Sequence, residues 1–194
     1  MASDREVIVK NVRIAFPEVH KATQFQGQGD YSYKATLLIA PGSENDKKLR
    51  AAINAAAKNT WKEKAAEILG SIKGNPQKCC YYDGSLKTYD GFAGHWALST
   101  SRRAKDGAVK VIDQVKNVLG PDSGKPYGGC YVDAKVELWG QKNKWGNGMR
   151  CTLIVIQFRA DGEAFGGTGP ANDEGMESIE GAEGMDSVST DDMM

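Results

Sequence analysis

The chain has 194 residues, with 25 Lys+Arg against 25 Asp+Glu and a formal net charge of zero. That length fits one domain plus an appendage, or two small domains, and no apolar run approaches the roughly 20 residues of a membrane-spanning helix. The zero conceals a division: all 25 basic residues lie at or before Arg159, so residues 1–160 carry +10 against their 15 acids, and residues 161–194 hold ten acids and no base.

The first residues, Met-Ala-Ser-Asp-Arg-Glu, lack the apolar stretch of a secretory signal. Residues 7–16 read as a strand rich in β-branched side chains, which Pro17 is expected to end. Residues 24–30, Gln-Phe-Gln-Gly-Gln-Gly-Asp, read as a flexible polar loop. A second strand follows over 31–40, with Tyr31, Tyr33, Ala35, Leu37 and Ile39 on one face and Ser32, Lys34 and Thr36 on the other. Pro41-Gly42 breaks it, and Ser43 with Asp46 three residues later resembles a capping box. The spacing of Leu49, Ile53, Ala57, Trp61, Ala65 and Ile68 predicts a helix over 44–69, with Gly70 as the residue just past its end. Beyond Gly74-Asn75-Pro76, short strands are expected at 79–82, 95–102, 109–113, 130–139 and 149–159, separated by Gly, Asp, Asn and Pro.

The fold class that follows is mainly β with one long helix: an OB-fold-like small β-barrel over residues 1–160. Residues 161–194 are rich in Gly, Glu, Asp and Ser and bury too little apolar area to offset their ordering entropy. They are expected to form a disordered acidic tail.

Two clusters mix aromatic and basic residues, the combination that holds single-stranded nucleic acid by stacking bases and following phosphates. In one, the alternation of Cys130, Val132, Ala134, Val136 and Leu138 inward turns Tyr131, Lys135 and Trp139 outward. The Gly-rich loop that follows adds Lys142, Lys144, Trp145 and Arg150. Asp133 and Glu137 share that outward face and would repel phosphate. The other cluster has Tyr82, Tyr89 and Phe92 in a Gly/Asp-rich stretch, then Arg102, Arg103 and Lys105 closing a strand. Trp96 shares parity with Leu98 and reads as core.

No catalytic motif of the phosphate-loop, nucleophile-elbow or His-Glu-x-x-His kind is present, which argues against an enzyme. Cys79, Cys80, Cys130 and Cys151 include no C-x-x-C pair, and His20 and His95 lie far apart. No metal site or cofactor is expected, and the thiols read as buried and inert. As a flexible coil the 34-residue tail has a reach of roughly 30 Å, against a radius of gyration of about 15 Å for a 160-residue domain. It can therefore cross its own domain's basic groove and compete with nucleic acid. Its tip, Asp191-Asp192-Met193-Met194, suits a basic pocket on a partner protein.

Gly129-Cys-Tyr-Val-Asp-Ala-Lys-Val-Glu-Leu-Trp139, the Gly-rich loop and Val155-Ile-Gln-Phe-Arg-Ala-Asp-Gly-Glu-Ala-Phe-Gly-Gly167 resemble a family of bacteriophage single-stranded DNA-binding proteins. Tyr82-Asp-Gly-Ser and Tyr89-Asp-Gly-Phe-Ala-Gly-His-Trp96 fit the same pattern. The resemblance implies an OB-fold protein that coats phage replication or recombination intermediates in the cytoplasm of the infected bacterium. It further implies a tail that recruits phage or host replication proteins. A long helix after the second strand departs from the usual barrel order, in which a helix joins the third and fourth strands.

The expected function is thus sequence-tolerant binding of single-stranded DNA, with duplex bound more weakly and no membrane involved. Homodimerisation stays open. Two rivals remain: an annealing or recombination accessory protein that binds both single and double strands, and a phage interaction protein that binds no nucleic acid and docks through its tail.

Overall fold

The computed structural model describes residues 3–167. In chain order the elements are β1 (Glu6–Phe25), β2 (Gln28–Ile39), α1 (Glu44–Trp61), α2 (Ala65–Ile72), β3 (Tyr81–Asp83), β4 (Trp96–Arg103), β5 (Lys110–Ile112), β6 (Tyr131–Asn143) and β7 (Gly146–Ala160). The chain is mainly β with one long helix, and that helix follows the second strand.

Among the described residues the strands form one sheet in the order β3-β4-β2-β1-β6-β7-β5. β4 also pairs in parallel with β7 through Ser101 and Thr152. The pairings β4-β2-β1-β6-β7-β4 therefore close on themselves. Period-two alternation supplies the interior: Val132, Ala134, Val136 and Leu138 of β6 face inward with Met149, Cys151, Leu153 and Ile156 of β7, all almost fully buried. α1 lies against this interior with Leu49, Ala52, Ala56 and Ala57 buried. A β-carbon at Gly140 of β6 would come within 2.6 Å of the Thr60 side chain, so glycine there admits the end of the helix.

Several boundaries differ from expectation. Pro17 does not end β1; the strand bulges between Ala15 and Glu18 and runs on to Phe25. A bulge leaves a residue out of the ladder, which is where a proline without N–H is tolerated. The expected loop at 24–30 is a tight hairpin, in which Gln26 and Gly27 (φ 50° and 70°) turn the chain between paired Phe25 and Gln28. The single helix of 44–69 is two, because Lys62 adopts a left-handed conformation (φ 53°) between α1 and α2. Gly70 lies inside α2 rather than capping it.

A second, smaller apolar cluster sits outside the closed strands. Ala15, Leu38, Tyr82, Phe92 and Ala97 are buried on the outer face of β1, β2 and β4, with Phe165 packed against them. The segment 84–95 folds over that face, drawn tight where Gly84 N–H donates to the His95 carbonyl (2.8 Å).

Residues 161–166, expected to belong to the tail, pack onto the domain. Tyr127 Oη donates to Asp161 Oδ1 (2.8 Å), Arg13 donates to the Glu163 carbonyl, and Gly166 N–H donates to Asp90 (2.9 Å). Residues 168–194 lie outside the described residues, and with them Asp191, Asp192, Met193 and Met194.

Candidate nucleic-acid interface

The antiparallel register of β2 and β4 sets Thr36 beside Ser99, Lys34 beside Ser101 and Ser32 beside Arg103. These small, polar and basic side chains alternate with the buried Ala35, Leu37, Leu98 and Thr100, so they point away from the interior. From Leu38/Ala97 to Ser32/Arg103 the strip spans seven residue pairs, about 20 Å at the usual strand rise.

At one end the strip opens into a groove of about 550 Å³ that runs across β4 and β7 to β6 and is lined by Arg102, Arg103, Trp139 and Thr152 and by two acids, Asp106 and Glu137. Residues from both sequence clusters meet here. Trp139 keeps 39% of its surface exposed, and its Nε1–H donates to Thr152 Oγ1 (3.1 Å), which fixes the ring beside the groove. Arg103 Nε donates to Asp106 (2.8 Å), and Lys105 pairs with Asp30 (3.1 Å). Both pairs are exposed, where an ion pair is worth little and yields readily to a competing phosphate. Arg102 is more committed: it donates to the carbonyls of Gly107 (2.9 Å) and Asp106 (2.7 Å) and shapes the turn after β4.

The β6–β7 hairpin projects beyond this groove. Trp145 at its turn is 78% exposed, and Lys144 Nζ lies 5.0 Å from the ring centroid. Lys142 is exposed nearby. Arg150 lies opposite Trp139 in the ladder and donates to Gln141 Oε1 (2.8 Å), so it stiffens the base of the hairpin.

Other expected site residues stand elsewhere. Tyr82 and Phe92 are 5% and 1% exposed within the outer apolar cluster and have no face to offer a base. Tyr89 is half-exposed but sits at the far end of the strip, against Phe92 (5.3 Å). Lys135 and Tyr131 belong to a different outer face, that of β1, β6 and β7. There Lys135 pairs with Glu6 (3.0 Å), Arg5 with Glu137 (3.3 Å) and Arg159 with Asp133 (3.0 Å). Tyr131 lies under the Arg13 guanidinium. That face is charge-compensated, so the row Tyr131–Lys135–Trp139 is split: Trp139 reaches the groove and the other two do not.

Sequence reading missed Phe25, Tyr31, Lys34 and Phe16. Phe25 (68% exposed) and Tyr31 (55%) sit at the tip of the β1–β2 hairpin, with Lys34 Nζ 5.8 Å from the Phe25 ring. The available signal was Phe25 itself, a lone aromatic among glutamines and glycines with no apolar neighbour to bury it.

Among the described residues no group of three His, Cys, Asp or Glu is arranged to hold a metal ion. All four cysteines are buried, and burial pushes their thiols above the usual range.

Known proteins resemble this chain in sequence and in fold. Residues 5–185 match the family model of the Enterobacter phage Enc34 ssDNA-binding protein. Protein p50 of Acyrthosiphon pisum secondary endosymbiont phage 1 is 40% identical over 181 residues, which cover 92% of this chain and 96% of p50. The single-stranded DNA-binding protein of bacteriophage Enc34, solved in complex with ssDNA, superposes with a TM-score of 0.70 at 24% identity, covering 84% of this chain and 91% of that one. The single-stranded DNA-binding protein gp2.5 of bacteriophage T7 superposes at 0.59 and 15% identity, covering 89% and 100%.

Proposed function

This chain belongs to the Enterobacter phage Enc34 ssDNA-binding protein family, and from that premise we propose that it binds single-stranded DNA, without strong sequence preference, along the outer face of β2 and β4. The observation that carries the reading is the convergence of Arg103 and Trp139 on one groove; of the acids that sequence reading set beside Trp139, Glu137 also lines it but is paired with Arg5, and Asp133 is paired with Arg159. Cations there follow phosphates and Trp139, Trp145 and Phe25 stack on bases, a sequence-tolerant mode because every base has a π-face.

We read the closed strands β1, β2, β4, β6 and β7 as an OB-fold barrel, with the β1–β2 and β6–β7 hairpins as the two arms flanking the strand path. Support comes from the parallel β4–β7 closure and the superposition on phage single-stranded DNA-binding proteins. The protein acts by coating phage replication or recombination intermediates in the infected bacterial cytoplasm, by binding and not by catalysis. Residues 168–194, with eight acids and no base, compete with DNA for the basic strip and present Asp191-Asp192-Met193-Met194 to phage or host replication proteins.

A titration of the full chain against single-stranded and duplex oligonucleotides of equal length, from 50 to 500 mM salt, tests this. The single strand should bind more tightly, with log K falling linearly in log salt. Equal affinity for both forms would favour an annealing accessory protein. Absence of binding to either would favour a protein that docks through its tail alone.

A further inference from the structure

Phe16 is held against two ordinary preferences at once. Its backbone is left-handed (φ 50°), although a β-carbon disfavours that region and a residue before proline is normally extended. Its ring is nevertheless 54% exposed. Strain of this kind persists where the surroundings enforce it, and it gathers at ligand clamps. The enforcement is visible: the β1 bulge lifts Phe16 off the ladder, and the ring stands edge-on to Tyr89, centroids 4.9 Å apart at 77°.

Phe16, Pro17, Tyr89 and Phe165 wall an apolar hollow of about 430 Å³. A β-carbon at Gly91 would come within 2.6 Å of the Phe165 ring, so glycine there lets the ring close one side. Beyond that contact lies a polar hollow of about 340 Å³ lined by Lys10, Arg13 and His95 and by Ser43 and Asn45 at the start of α1. Arg13 joins the two: its guanidinium lies 4.2 Å from the Phe165 centroid and donates to the Gly129 carbonyl (3.0 Å). The acid on the apolar side, Asp90, accepts the Gly166 N–H (2.9 Å). An aromatic slot beside a cationic shelf is complementary to one nucleotide, base in the slot and phosphate on the shelf. The slot also continues the β2–β4 strip, whose Leu38 and Ala97 underlie Phe92.

We propose that this hollow receives a single unpaired nucleobase and carries the chain's discrimination against duplex; the proposal rests on the single-stranded DNA-binding reading above. A base must leave its stack and its pair to enter, at no pairing cost in a single strand and at a real one in a duplex.

The test uses the full chain and its Phe16→Ala, Phe16→Trp and Tyr89→Ala variants, with anisotropy titrations on a labelled oligothymidylate and on a duplex of equal length at one salt concentration. Phe16→Ala and Tyr89→Ala should each weaken single-strand binding fivefold or more, the low end for loss of one stacking platform. Duplex binding should stay within twofold, and Phe16→Trp should restore the single-strand affinity. Thermal melting accompanies each variant, and Tyr89, in an exposed loop, serves where Phe16→Ala unfolds the protein. Equal loss on both DNA forms, or no loss on either while the parent protein binds the single strand, would overturn the proposal alone. A parent protein that binds no single strand would overturn the function on which it rests.

Discussion

Trp139 and Trp145 separate stacking from packing, because one is anchored and the other is not. Trp145 is 78% exposed at a hairpin turn, so Trp145→Ala should leave unfolding free energy within about 0.5 kcal/mol of the parent. The same change should weaken single-strand binding by about 1–3 kcal/mol. Trp139→Ala should show a similar binding loss and a larger drop in melting temperature, since the indole also holds Thr152. Tryptophan fluorescence unchanged by saturating oligonucleotide would sink both assignments. Arg103→Ala should lower the salt slope by about one phosphate equivalent, with little dependence on oligonucleotide sequence. The outward side of Trp139 was legible in the sequence because strand parity decides it: Cys130 and the four inward residues of β6 left it no other face. Tyr82 and Phe92 were not, because an aromatic in a Gly-rich stretch can equally be covered by its own loop. What covers them includes Phe165, more than seventy residues further along.

The elements were legible where period and capping decide them, and hidden where a single backbone torsion does. The start of α1 is one that was read: Asp46 N–H donates to the Ser43 side chain (3.3 Å). The stop at Lys62 and the bulge at Phe16 have no apolar signature, since each is one left-handed residue in an otherwise continuous pattern. Asp46 does more than cap. Burial alone would raise its pKa, but Tyr81 Oη–H, the Gly42 N–H and Arg50 all donate to the carboxylate and together hold it below the usual range. A carboxyl whose folded value is depressed stabilises the fold above its unfolded value near 3.8 and loses that contribution as pH falls through the lower, folded value. Urea unfolding of the parent should therefore show stability declining as pH drops below about 4. Asp46→Asn should cost about 1–3 kcal/mol at pH 7, for one charge-assisted bond network lost, and should flatten the acid decline. An Asn variant with an unaltered acid limb would show that other carboxylates govern it.

At the scale of the molecule the neutral sum conceals two opposed charges. Residues 161–166 are strapped down by Tyr127, Arg13 and Asp90, and a β-carbon at Gly129 would come within 2.1 Å of the Glu163 carbonyl. A chain ending at 160 should therefore melt below one ending at 167, which makes the longer form the proper test of competition by residues 168–194. Through residue 167 the chain carries 25 bases and 17 acids, a net +8 that the eight remaining acids cancel. If those acids occupy the strip that DNA must take, their removal should tighten single-strand binding most at low salt. Salt weakens the acids' hold on the strip as well as the DNA's, so the intact chain should show the shallower dependence of log K on log salt. The lines for the 1–167 and intact chains should converge toward 1 M, where the screening length is about 3 Å. Parallel lines would mean that the acids act at a distance through net charge alone. Coincident lines would assign them wholly to partner proteins, and the strip around Arg103 and Trp139 would then be open to DNA at every salt concentration.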